Sequence, residues 1–473
     1  MGRSIAKPTV DISGRLYHKA SDSTIVIRSR GPEMEHRVER RGLSASYPVA
    51  YSMGAGLVGY SYLVRIGDYL FQSPASFYTR TNNWDLTPGF EAKKHLDFTR
   101  QISGACLFCH TGSLHLVAGT NNRFEEPAFT PISCERCHGS ARRHLLNPGP
   151  GSIVNPRTLP ERARDSVCEQ CHLEGVVRVL NPGRDWWDYK PGDQLEKTIV
   201  TYLEDAGSTT LRAVGHSEQL AQSRCARASR GRLWCGTCHD PHASKNNRPA
   251  QVREVCLSCH ETIFAAAKHV PATECVTCHM PRLRPSDIAH SAVTDHRILR
   301  KPMPDTPREP AVNLGLRAWR EPDSTLAQRD LGLAYFDWTA SQPDPDKLTR
   351  TYDLLSHLAS GGPDPPVLAD LASILLQQGQ FNLSAQLFAK AAQADPMNAR
   401  YAYCVGVARE RAGDVASAMK ELRRSITLDP SQPDPYLALA RIYAALGQES
   451  RKLATLREYL RFMPQNLTLR SND

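Results

Sequence analysis

The 473-residue chain has no run of about 18 apolar residues, so nothing in it reads as a membrane-spanning helix. Residues 1–30, opening MGRSIAKPTVDISGRLYHK, also lack the apolar core of an export signal. Long amphipathic periodicity is scarce between residues 101 and 300, where Pro, Gly and Asn are scattered. That stretch buries too little apolar surface to hold a core unaided. The positive charge is dispersed: the formal net charge is +9, with no basic block of the kind that reads nucleic acid. A hydrophobic content of 41% fits a globular chain, and the length allows two or three domains.

What is present is a five-residue unit, six times over. The copies are CLFCH (Cys106, Cys109, His110), CERCH (Cys134, Cys137, His138), CEQCH (Cys168, Cys171, His172), CGTCH (Cys235, Cys238, His239), CLSCH (Cys256, Cys259, His260) and CVTCH (Cys275, Cys278, His279). Twelve of the fourteen cysteines are used, and a histidine follows every pair although only 17 of 473 residues are His. In C-x-x-C-H each thiol adds to one vinyl group of a haem, and the adjacent imidazole becomes the proximal iron ligand. Zinc, the main rival, takes four thiolate or imidazole ligands and requires no His directly after each pair. A redox dithiol occurs once, and a disulfide framework does not repeat one unit. Six covalent haems c are therefore expected. Their propionates, two each, offset the basic excess and bring the ferrous protein from +9 to about −3. Haem is attached to this motif outside the cytoplasm, so the chain is expected to be extracytoplasmic and to continue upstream of residue 1.

Residues 1–100 carry strand signals: STIVIR, and YSYLVRIGDYLFQSP as two strands joined at Gly67-Asp68. A small β-rich segment is expected there. Residues 101–300 form an irregular, mainly α domain packed around haem, with motif starts 28, 34, 67, 21 and 19 residues apart. Residues 301–325, including KPMPDTPREP, read as a proline-rich linker. From 326 to 473 the period becomes helical. Pro396, Pro430 and Pro464 recur every 34 residues, as do Gly379, Gly413 and Gly447. A glycine at the turn and a proline after the second helix describe a helical-hairpin repeat. This resembles the tetratricopeptide repeat: three units, plus a partial one at Leu331, Gly332 and Tyr335. An all-α solenoid that docks a peptide or a redox partner is expected, joined to the haem domain by the linker.

Each iron has a second axial position. Eleven histidines lie outside the motifs, ten of them before residue 300, which favours bis-histidine irons. Distal candidates are His144, His216, His242, His269, His290 and His296, with His18, His36, His95 and His115 in reserve. His242, in CHDPH, is too near its own motif to cross that haem and is expected to ligate a neighbouring iron. Met280 is badly placed to ligate. Cys404 is expected to pack and Cys225 to be a loop thiol.

The stretches CERCHGS, CGTCHDPH and CVTCHMP resemble the multihaem c-type cytochromes with doubled C-x-x-C-H motifs, a group that includes the tetrahaem carrier and hydroxylamine oxidoreductase of ammonia oxidisers. The resemblance covers about residues 100–300. It implies either an electron carrier with all irons six-coordinate, or an oxidoreductase acting on a small nitrogen or sulfur compound at one open iron. Every motif ends in His, none in the lysine that nitrite reductases use, and the surplus of histidines favours the carrier. A third reading makes the repeats the working part and the haems a sensor.

Overall fold

The computed structural model of the protein describes residues 5–470, apart from 9, 126–129, 206–210, 243–248, 267–273, 289, 301–314, 342 and 360. Eight strands fill the N-terminal part: β1 (Ile5–Ala6), β2 (Gly14–His18), β3 (Ser23–Arg30), β4 (Glu33–Arg40), β5 (Leu43–Met53), β6 (Gly59–Ile66), β7 (Tyr69–Tyr78) and β8 (Asn83–Leu86). From β2 to β8 they pair in sequence order as an antiparallel meander, with β1 added on β5. The two-residue turn at Gly67-Asp68 joins β6 to β7, Gly67 supplying the positive φ of 57°. Alternation sets the inner face. Ile25 and Ile27 of β3 and Met34, His36 and Val38 of β4 are buried, with more exposed residues between them. The sheet curls until its ends meet: the Trp84 indole donates to the Ile12 carbonyl at 3.0 Å. A Cβ on Gly14 would lie 2.3 Å from the Trp84 ring.

The middle region contains short helices and a second, three-stranded sheet. β9 (Val177–Leu180) and β13 (Leu316–Ala318) flank β10 (Ile199–Glu204), while β11 (Arg282–Leu283) pairs with β12 (Val293–Thr294). The end of the expected linker is therefore structured. Residues 316–318 complete a sheet because β10 presents Tyr202, Leu203 and Glu204 to them, and the Trp319 indole donates to Glu169 at 2.9 Å. The proline-rich stretch at 301–314 lies outside the described residues.

Beyond it stand four helix pairs: Ala327–Ser341 with Pro345–Ser356, Pro365–Gln377 with Phe381–Ala394, Ala399–Arg411 with Val415–Leu428, and Pro433–Ala445 with Glu449–Phe462. The partial unit of the sequence is thus a full pair. Gly379, Gly413 and Gly447 end the first helix of the later three pairs with φ of 78°, 86° and 68°. In each case the next amide reaches back across the turn, as Gln380 N–H does to Leu375 O at 2.9 Å.

The array packs against the rest of the chain at both ends. At its start, Leu333, Tyr335 and Trp338 pack with Val177, Val179, Val200 and Tyr202 of the second sheet. At its end, Leu422, Tyr436, Leu439, Tyr459 and Met463 share one apolar core with β3–β8 residues such as Val64, Tyr69 and Phe71. Apolar side chains on both surfaces exclude water together, which holds the array to the rest of the chain.

Candidate haem-attachment sites

The cysteine pairs sit on or at the start of helical backbone, while His239 is the extended residue that ends its helix, with φ −115°. The segments are Gly104–His110, Glu135–His138 with Cys134 at its N-cap, the end of Glu161–His172, Cys235–Cys238, the middle of Pro249–Ala266, and Cys275–His279. Helical geometry explains the spacing: positions i, i+3 and i+4 share one face, so both thiols and the imidazole point the same way. The i to i+4 bonds are formed from His138 N–H to Cys134 O and from His239 N–H to Cys235 O, both at 2.9 Å. His260 sits at a kink in its helix, with φ −117°.

The residues between the cysteines anchor the motifs. Leu107 and Phe108 of the first are fully buried. Arg136 of the second donates to Phe108 O at 2.6 Å, with its guanidinium 4.4 Å from the Phe108 ring centre. Trp186 and Trp187 close on the same ring, each at 5.7 Å. Motifs far apart in sequence become neighbours: the Cys109 thiol lies beside that of Cys171, Cys168 beside Cys235, and Cys256 beside Cys275. The bond from Cys171, with Arg178 and Arg136 nearby, lowers the Cys109 thiol to about 6. The same bond and burial push Cys171 up, and burial takes Cys256 to about 12. No disulfide joins any of the fourteen cysteines, and none of the twelve motif thiols is fully buried.

The imidazoles form a definite pattern. His138 and His242 stack with ring centres 5.7 Å apart and planes at 23°. His239 and His296 stack at 6.2 Å and 29°. His172 meets His216 edge-on at 5.0 Å, Nδ1 to Nδ1 at 3.2 Å, and His216 touches His296 at 4.7 Å. Several of these rings are held by one nitrogen. Nδ1–H of His138 donates to Val154 O at 2.6 Å, that of His279 to Leu299 O at 2.6 Å, and that of His296 to Thr294 O at 2.9 Å. His144 donates through Nδ1 to Ser152 Oγ at 2.7 Å. Such bonds fix the tautomer that leaves Nε2 for a metal. Burial lowers His110, His172, His239 and His296 below the ordinary imidazole value and takes His216 to about 3, so all are neutral, as ligating imidazoles must be.

The other candidates fall elsewhere. His290 turns to the β layer, its Nε2 on the Asp85 carboxylate and its ring 5.1 Å from Tyr78. His269 lies outside the described residues. Among the reserves, His18 uses both ring nitrogens, on Ser21 Oγ and Glu91 O. His36 is a core residue bonded to Ser73 Oγ at 2.6 Å. His95 receives a bond from Arg40 at 2.7 Å. Cys404 packs at the edge of the helical core, burial raising its thiol to about 11. Cys225 is on the helix Arg224–Ser229, not a loop, and has Cys238, Cys256 and Cys259 as electrostatic neighbours. No sequence signal pointed to that neighbourhood, because the turn between Cys225 and Cys235 brings it about.

These residues fit haem c better than zinc. Two imidazoles bound through nitrogen on opposite sides of one metal, about 2 Å from it, put their ring centres roughly 6 Å apart, close to the two stacked pairs. Among the described residues no group of three or more His, Cys, Asp or Glu is disposed to hold a bare metal ion. The profile of the family described as "Doubled CXXCH motif" matches residues 228–264, which hold the fourth and fifth motifs. The paired motif marks covalent attachment of haem c. No curated protein matches the chain. Solved structures share a partial likeness. "MamA MSR-1 C2" is 22% identical over 29% of this chain and 76% of its own, with a TM-score of 0.26. "MamA AMB-1 C2221" is 22% identical over 28% and 77%, at 0.25. "Crystal structure of MamA" is 12% identical over 30% and 92%, at 0.24. Among the described residues no helix is long and apolar enough to cross a membrane.

Proposed function

We propose that the chain is a six-haem c-type cytochrome of an extracytoplasmic compartment, an electron carrier with bis-histidine irons that receives its redox partner on the uncovered face of the helical array. The observation that carries this reading is the stacked pair His138–His242, a motif histidine facing a histidine outside every motif at 5.7 Å. Bound haem c supplies reversible one-electron chemistry at iron.

The chain's own groups do the rest. The twelve motif thiols of Cys106, Cys109, Cys134, Cys137, Cys168, Cys171, Cys235, Cys238, Cys256, Cys259, Cys275 and Cys278 would hold the rings by thioethers. His110, His138, His172, His239, His260 and His279 would supply imidazoles to the irons. Backbone carbonyls at Val154 and Leu299 keep His138 and His279 in the ligating tautomer. Neighbouring thiols of motifs one and three, three and four, and five and six support attachment points that lie close together.

Protein matured in a host with cytochrome c assembly machinery should carry six haem additions by mass. Its reduced form should leave the spectrum unchanged under carbon monoxide, which binds only an open iron. Fewer additions would overturn the count. A carbon monoxide adduct would favour the oxidoreductase reading.

A further inference from the structure

The order of the motifs along the chain does not predict which histidine completes which iron. Three non-motif imidazoles approach motif histidines: His242 faces His138, His216 faces His172, and His296 faces His239. His242 and His296 each face a motif other than the one immediately before them in sequence.

We infer that the iron held by His138 takes His242 as its second ligand and that the iron held by His239 takes His296. This deepens the cytochrome reading and rests on it. The second and fourth motifs are thereby strapped together, because His242 belongs to the tail of the fourth motif and crosses to the second. The ring planes of His138 and His242 differ by only 23°, and those of His239 and His296 by 29°. Both pairs have separations that a shared metal would impose, with nitrogens about 2 Å from it. The anchoring bonds agree. Val154 O holds His138 by Nδ1 and Thr294 O holds His296 by Nδ1. Asp240 Oδ1 lies 3.4 Å from His242 Nδ1 and also accepts the His242 backbone N–H at 2.9 Å. In each case Nε2 is the nitrogen left to ligate. His216 touches His296 at 4.7 Å and His172 at 5.0 Å, and so packs the third motif against this ligand.

The test uses the full mature holoprotein and electron paramagnetic resonance. His242→Ala should convert one haem in six to high spin with all six still attached. The same substitution placed on Cys134→Ala/Cys137→Ala, which removes the second haem, should create no high-spin signal among the remaining five. His296→Ala on Cys235→Ala/Cys238→Ala should behave likewise. His242→Met, which keeps a ligand, should raise one potential and leave the haem count at six. A parent chain that attaches no haem defeats the cytochrome reading itself. Six haems with an unchanged low-spin spectrum in His242→Ala, unmoved potentials in His242→Met, or a high-spin signal that persists in the five-haem background overturns the pairing alone.

Discussion

Gln465 completes the backbone of Ser46. Its side-chain oxygen accepts the Ser46 N–H at 2.6 Å and its amide nitrogen donates to the Ser46 carbonyl at 2.9 Å. A residue after the last helix pair thus imitates a strand beside β5, 419 residues away in sequence. Arg40 adds a bond to Leu467 O at 3.1 Å, and Phe462 stands edge-on to Tyr69 at 5.2 Å.

Deleting residues 326–473 should therefore abolish cooperative folding. The truncation uncovers Tyr69 and Phe71 at one end of the array and Val179 and Tyr202 at the other. Circular dichroism melts and haem incorporation both report the loss. An intact, fully loaded truncation would restore the picture of a detachable docking module.

Trp338 is the pivot of the first helix pair, 2% exposed, with Lys347 Nζ 3.7 Å from its ring centre. Trp338→Ala should cost about 3–5 kcal/mol by denaturant unfolding, the range for deleting a buried aromatic. A smaller effect would mean that the array and the second sheet do not share a core.

His36 links stability to pH. Burial lowers its pKa to about 3, so it is neutral in the fold, while the unfolded chain takes a proton near pH 6.5. Stability from this group is complete above pH 6.5 and falls as the pH drops toward 3. At pH 5 the loss is about 2 kcal/mol. His36→Gln should flatten the unfolding free energy between pH 7 and 5 by about that amount, and an unchanged slope would assign the acid sensitivity elsewhere.

Asp370 has the opposite sign. Burial, and then Asp337, hold its carboxyl well above the ordinary range, with Arg400 only partly offsetting them. The folded chain keeps a proton that the unfolded chain has released, so stability is lost as the pH rises through the unfolded value. Asp370→Asn should raise the melting temperature at pH 7 and leave it nearly unchanged at pH 3.

The parts legible in sequence were those that repeat. The six C-x-x-C-H units stand out because each keeps one spacing and one order. The 34-residue step of Gly379, Gly413 and Gly447 located three turns because each needs a positive φ. The hairpin at Gly67-Asp68 was legible for the same reason. What was hidden depends on contacts between distant segments. β13 lies where prolines pointed to a linker, and its pairing with β10 cannot be read from three residues. His290 looked equal to His296 by sequence, yet Asp85 and Tyr78 draw it to the β layer while Thr294 O turns His296 toward His239.

The thiol contacts between motifs also bear on how the protein is made. Cys109 beside Cys171, Cys168 beside Cys235 and Cys256 beside Cys275 are pairs that an oxidising compartment can close into disulfides. Each such bond would take one sulfur from two different attachment units, so a single wrong oxidation would block two thioethers. On the cytochrome reading, maturation would be a race between ligation and oxidation, and the folded but unloaded chain would be the vulnerable species.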